Sequence, residues 1–291
     1  MTIFCYSSLV MQSRTQFMID TKTLSPEDHL ILQTAKRNME EIGWAMKGLN
    51  KMGNLIESRM QLLPYKQQKW LQQTSYNVLH TVVKTNLFSM NNTKSNTMPS
   101  NMVYKVLVTS SGALGGALGV TAFAVDLTIA TKLMMRSIMD IARSEGEDLN
   151  ELDTQLACLQ VFALGGKTKH DDSLDTGYYA TRVAMSSTVK GATKMSSKAL
   201  ATVLKGTGNP ILRLVAIVAS RFTVQVSEKF VAQAIPVIGA LGGASINLAF
   251  IQHFQNMAHA HFSIRRLERK YGEASVRDSY EGISNLIASS K

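Results

Sequence analysis

From residue 230 to residue 264 the chain carries no Lys, Arg, Asp or Glu, a run of 35 residues closed off by Lys229 and Arg265. A stretch that long without charge has to leave water, for a protein core or for a bilayer. Its apolar heart, residues 231–251, is long enough to span a membrane, since about 20 apolar residues suffice in a helix. Yet Gln233, Pro236, Asn247 and Gln252 interrupt it, and Pro236 with Gly239 would break a helix in mid-span. A helix buried in a globular core is therefore the expectation, ahead of a spanning or re-entrant segment.

The run contains half of an internal repeat. Gly112-Ala-Leu-Gly-Gly-Ala-Leu-Gly-Val-Thr-Ala-Phe123 aligns with Gly239-Ala-Leu-Gly-Gly-Ala-Ser-Ile-Asn-Leu-Ala-Phe250, with eight of twelve positions identical at a constant offset of 127. Each copy is expected to open a long helix, over 112–144 and 244–271, closed by Gly146 and Gly272. Gly and Ala permit close backbone approach. Gly112, Gly115, Gly116, Gly239, Gly242 and Gly243, with Asn247, are thus expected to hold two pseudo-symmetric helices together. The offset sets Asp126 opposite His253. A spanning role for the first copy is disfavoured by Asp126 and Lys132, since a central Asp costs about 2.5–3.5 kcal/mol on insertion.

Helical signals dominate elsewhere. Ser25-Pro26-Glu27-Asp28 reads as an N-cap, a first-turn Pro and acids at the positive helix end. One long amphipathic helix is expected to run on to Pro64, and a second from Tyr65 to Met90. Residues 91–100, polar and closed by Pro99, read as a linker. Further helices are expected over 151–164, near 211–219 and up to Pro236. Alternating strand patterns are nearly absent. The expected fold is an all-α multi-helix bundle: a ragged segment 1–24, an N-terminal helical hairpin 25–90, a linker 91–100 and a helical domain 101–291.

Charge is unevenly spread. Residues 1–181 hold 17 basic and 16 acidic side chains, while residues 182–291 hold 14 and 5. Such a field favours an anionic partner. Nucleic acid is the weakest choice, because the basic stretches lack interleaved aromatics and no zinc-finger or RNP pattern occurs. Lys190, Lys194, Lys198 and Lys205 fall within about 80° on a helical wheel, and no acid occurs from Arg182 to Ser227. Basic residues near an anionic leaflet contribute about 1 kcal/mol each, so this stripe is a candidate binding face. Two cysteines, Cys5 and Cys158, exclude a disulfide framework and a Cys-based zinc site. No export signal is evident at the start, and a cytoplasmic protein is expected.

Polar residues on the last long helix form the remaining candidate cluster: Asn247, His253, His261, Arg265 and Glu268, with Asp126 expected as partner of His253 or Arg265. His259 and His261 point nearly opposite ways on a helix, and no HExxH occurs, so no metal and no cofactor is expected. A buried polar network locking two helices competes with a functional pocket in which Asp126, His253, His261 and Glu268 carry catalysis, assisted by Glu145. Ser111, Ser245 and Cys158 are the available nucleophiles, without an elbow or a Cys–His pairing to mark them.

The run from Pro236 to Asn247, followed by His261-Phe-Ser-Ile-Arg-Arg-Leu-Glu-Arg-Lys-Tyr-Gly272, resembles the signature of the EcsC family. So do Arg136-Ser-Ile-Met-Asp-Ile-Ala-Arg-Ser-Glu-Gly146 and Cys158-Leu-Gln-Val-Phe-Ala-Leu-Gly-Gly166. The resemblance covers about residues 100–275 and adds Arg136, Arg265 and Arg266 as candidate binding residues. It implies a shared helical fold more strongly than an activity. The family is largely bacterial, has no established reaction, and its founding member is encoded beside an ABC transporter's ATPase and permease. The leading expectation is a non-enzymatic protein, cytoplasmic and peripheral to the inner membrane or bound to a membrane transporter. A hydrolase with a His/Asp pocket and an α-helical pore former are the alternatives.

Overall fold

A computed structural model describes residues 23–40, 53–86, 101–115, 119–164, 177–193, 210–234 and 243–288. These hold ten α-helices and no strand. They are α1 (Pro26–Glu40), α2 (Gly53–Gln61), α3 (Tyr65–Asn86), α4 (Asn101–Gly115), α5 (Gly119–Ser144), α6 (Leu152–Gln160), α7 (Tyr178–Thr193), α8 (Pro210–Ala234), α9 (Gly243–Tyr271) and α10 (Glu273–Ala288), with a 3-10 turn Val161–Ala163 after α6. The fold is all-α.

α9 is the axis of the bundle, and at 29 residues it extends about 43 Å. α4, α1, α5 and α10 pack around it, while α8 is covered by α3, α7 and α2. Most of the charge-free run lies on α9 and on the end of α8, where Phe250, Ile251, Phe254, Ala258 and Phe262 are buried. Phe162, Phe222, Phe250 and Phe254 meet with ring centroids 5.1–6.2 Å apart. Such contacts add to burial, which is worth roughly 1.5–3 kcal/mol per large apolar side chain. One described helix, α8, is long and apolar enough to cross a membrane, but half of its apolar window is buried inside the protein.

Helix ends follow local chemistry. At the start of α1 the Asp28 amide donates to Ser25 Oγ (3.2 Å), and that hydroxyl donates to the Asp28 carboxylate (3.0 Å). α5 ends in a Schellman turn: the Glu147 amide reaches the Ala142 carbonyl at 3.0 Å and the Gly146 amide that of Arg143 at 3.1 Å. Gly146 and Gly272 adopt φ of 82° and 90°, a region that costs other residues roughly 1–2 kcal/mol.

Several expectations are corrected. The helix expected over 112–144 is two helices, and Gly112 lies near the end of α4 instead of opening α5. Residues 116–118, between the two, lie outside the described residues. Of the first expected long helix, α1 and α2 are described, and residues 41–52 between them lie outside the described residues. The two helices expected over 211–236 are the single α8, which has no Gly or Pro after Pro210 to break it. α10 was not anticipated, although Val276, Tyr280 and Ile283 recur at helical spacing and are buried. The packing of α5 on α9 is observed. Of the glycines expected to carry it, Gly116, Gly239 and Gly242 lie outside the described residues.

Candidate functional site

Three polar clusters tie the helices together. In the deepest, Lys229 of α8 reaches Asp126 of α5 at 2.6 Å, and Asn247 of α9 donates to the other Asp126 oxygen at 2.9 Å and to the Val108 carbonyl of α4 at 3.0 Å. Lys229 and Asn247 are both 0% exposed. Burial pulls the Lys229 ammonium below its usual range, and Asp126 opposes that pull. The ammonium also lies 5.9 Å from the Phe123 ring centre and 5.1 Å from that of Phe250. These are the two phenylalanines aligned by the repeat.

The second cluster joins α7 to α9. Arg182 Nη1 donates to Glu268 at 2.6 Å and to the Tyr178 hydroxyl at 3.2 Å, and Tyr179 donates to Glu268 at 3.1 Å. Tyr178 Oη lies 3.0 Å from His261 Nδ1. Since Arg182 donates to that hydroxyl, Tyr178 is left to donate to an unprotonated Nδ1, which puts the imidazole proton on Nε2, a buried atom without a hydrogen-bond partner among the described residues. Burial, then the positive charge of Arg182 and Arg265, hold His261 well below its usual range, so its ring is neutral. It is fully enclosed.

The third cluster clamps the turn after α5 onto the end of α9. Arg265 grips Glu147 through Nε (2.9 Å) and Nη2 (3.0 Å) and also reaches Asp153 at 2.9 Å. Arg269 pairs with Glu147 as well. Arg266 meets Glu145 at 2.8 Å, and Ser263 donates to the same carboxylate at 3.1 Å. Burial raises the Glu147 carboxyl, but the Arg265 contacts outweigh it and hold the group below its usual range. Beside this clamp, Lys270 (2.7 Å) and Tyr271 (2.6 Å) at the end of α9 hold Asp28 of α1, whose carboxyl falls to about 2.

The structure therefore separates the candidate catalytic residues. Asp126 belongs to the first cluster, His261 and Glu268 to the second, and Arg265, Arg266 and Glu145 to the third. Arg265, expected to face Asp126, instead pairs with Glu147 and Asp153, because the α5 turn folds back onto the end of α9. His253 is buried against Phe254, with ring centroids 5.0 Å apart. Cys158 is buried and its thiol is pushed up by desolvation, while Ser245 is exposed. Arg136 is exposed on α5 and Lys190 on α7, whereas Lys194, Lys198 and Lys205 lie outside the described residues. Among the described residues no three His, Cys, Asp or Glu side chains gather as a metal site. A cleft of about 300 Å³, lined by none of the cluster residues, lies between the α2–α3 turn and the end of α8.

Sequence reasoning missed Lys229, Tyr178, Tyr179, Arg182 and Glu147. Lys229 alone carried a signal, as the cation that closes the N-terminal edge of the charge-free run. The others pair across 83 or more residues of chain, and helical periodicity cannot report such pairing.

An all-α bundle on a central, largely buried helix, braced by interhelical ion pairs, is the class that fold and clusters define. The EcsC protein family model matches residues 30–267. The chain belongs to that family, and the match takes in α1 to α3, which the resemblance over 100–275 left out. No curated protein and no solved structure matches the chain.

Proposed function

We propose that this EcsC family member is a non-catalytic helical protein that docks reversibly on an anionic membrane surface. The observation that carries the reading is the outer face of the α4–α5 pair. Met102, Val103, Val106 and Leu107 of α4, with Val125 and Ile129 of α5, are 44–72% exposed. On α5, Val125, Ile129, Lys132 and Arg136 fall within an arc of about 60°, with the cations about 10 and 16 Å along the axis from Val125. α4 contains no acid, and the two acids of α5, Asp126 and Asp140, are buried. An apolar strip edged only by cations suits a lipid interface, where hydrocarbon enters and cations meet phosphates.

The non-catalytic part is supported by the way the candidate acids and bases are held. Asp126 is held by Lys229, Glu268 by Arg182, and the ring of His261 is enclosed. The Lys190 stripe would add to the attraction, and a transporter partner rests on the family resemblance alone.

Flotation with phosphatidylglycerol vesicles tests this reading. Reversing Lys132 and Arg136 to Glu removes two attractive charges and adds two repulsive ones, so partitioning should fall by more than about 30-fold at low salt. Val106→Asp with Ile129→Asp should abolish what salt leaves. If both variants float like the parent, the α4–α5 face is not the docking surface.

A further inference from the structure

The clusters show which parts of the molecule share one end. Lys229, near the end of α8, meets Asp126 in the first turns of α5 and Asn247 in the first turns of α9. Trp70 of α3 packs on Phe123 and Phe230 with ring centroids 5.9 and 5.8 Å away. The α2–α3 turn, the end of α8, the start of α9 and the Val125 end of the α4–α5 strip therefore lie together. At this end sits the cleft of about 300 Å³, whose walls are Leu62, Leu63, Pro64, Phe230, Val231 and Ala234, with Arg59 also lining it.

Among the described residues Arg59 is the one charged residue that lines the cleft, and Glu228, the acid of α8, is buried. Arg59 and the nearby Lys66 and Lys69 are exposed, and α3 has no acid in its 22 residues. Leu62 of the wall and Tyr65, next in the chain to the lining residue Pro64, are each 76% exposed, an aliphatic and an aromatic side chain of the kind that suits a membrane interface. The apolar walls accept hydrocarbon, and the volume lies at the lower end of small-molecule sites, roughly 300–1,000 Å³. A guanidinium at the mouth matches a phosphate in geometry and charge.

The geometry points to a site for one anionic phospholipid: an acyl chain between the α2–α3 turn and the end of α8, its phosphate on Arg59. The inference rests on the membrane reading, because a lipid reaches this cleft from the surface on which the α4–α5 strip docks.

The probe is dihexanoyl phosphatidylglycerol kept below its micelle concentration, titrated against the full chain. Trp70 packs on a wall residue and reports occupancy by fluorescence. Saturable binding is expected, at least tenfold weaker for dihexanoyl phosphatidylcholine. Ala234→Phe, an exposed position at the cleft, should abolish binding by filling it, and Arg59→Glu should weaken it at least tenfold. Both variants should melt like the parent and still float with phosphatidylglycerol vesicles. No saturable signal, or an unchanged one in Ala234→Phe, overturns the site. Octanoate binding as tightly as the phospholipid also overturns it, since a free acid would then be the ligand. If the parent floats yet binds no soluble lipid, the site falls and the membrane reading stands. If it does neither, both fall.

Discussion

Replacing Lys229 by Met leaves the Asp126 carboxylate without the ammonium 2.6 Å away, at a position 4% exposed. At an effective dielectric of about 20, two unit charges this close attract by about 6 kcal/mol. Desolvation of both groups consumes most of that gain, so the intact pair contributes little net stability. Breaking it is different, because one charge then stays buried. The expected loss for Lys229→Met or Asp126→Leu is about 3–5 kcal/mol, or roughly 6–20 °C in Tm by the scaling for chains of this general size. The double variant has no buried charge and should return to within about 2 kcal/mol of the parent. Urea unfolding followed by circular dichroism, run as a double-mutant cycle, measures the coupling. Single variants costing under about 1 kcal/mol, or a double variant that costs the sum of the singles, would refute the reasoning.

Acid should loosen the clamp between α1 and α9. The Asp28 carboxyl sits at about 2 in the folded chain against 3.8 ordinarily. Its contribution is complete above the ordinary value and is lost as pH falls through about 2, and the lowered Glu147 carboxyl acts with the same sign. Asp28→Asn should flatten that part of the stability profile between pH 4 and 2, read by urea midpoints across the range. Gly146→Ala and Gly272→Ala should each lose roughly 1–2 kcal/mol through backbone strain alone. An added Cβ would lie 3.7 Å from Arg269 at the first site and in open space at the second; a neutral result in thermal melts would contradict this. Cys158 should resist thiol reagents at neutral pH until the chain unfolds, since it is fully buried with a raised pKa. Mass spectrometry after labelling, with Cys5 changed to Ser, checks it.

What the sequence discloses and what it hides divide along a physical line. Ser25, Gly146 and Gly272 were readable because caps are local, decided by a few neighbouring residues. The charge-free run was readable as core because burial of α9 follows from composition. The break between α4 and α5 was misplaced because both sides of the Gly-rich segment are equally apolar, and only packing decides where the chain turns. The alignment of two helices sets Asp126 against His253, with Arg265 as the alternative partner, yet the acidic turn after α5 folds back and supplies Glu147 to Arg265 instead. The partners of His261 and Glu268 come from α7, whose Tyr178 and Arg182 carry no periodic mark. Exposure of the α4–α5 strip was also hidden, since apolar residues in a helix look alike whether they face a core or the outside.

The central claim is that this family member meets an anionic membrane through an apolar, cation-edged face. Flotation of the full chain with phosphatidylglycerol and with phosphatidylcholine vesicles, each at low and high salt, tests it most directly. Recovery is expected with phosphatidylglycerol vesicles, reduced as salt rises, and little is expected with phosphatidylcholine. Equal recovery with both lipids, or none with either, would contradict it.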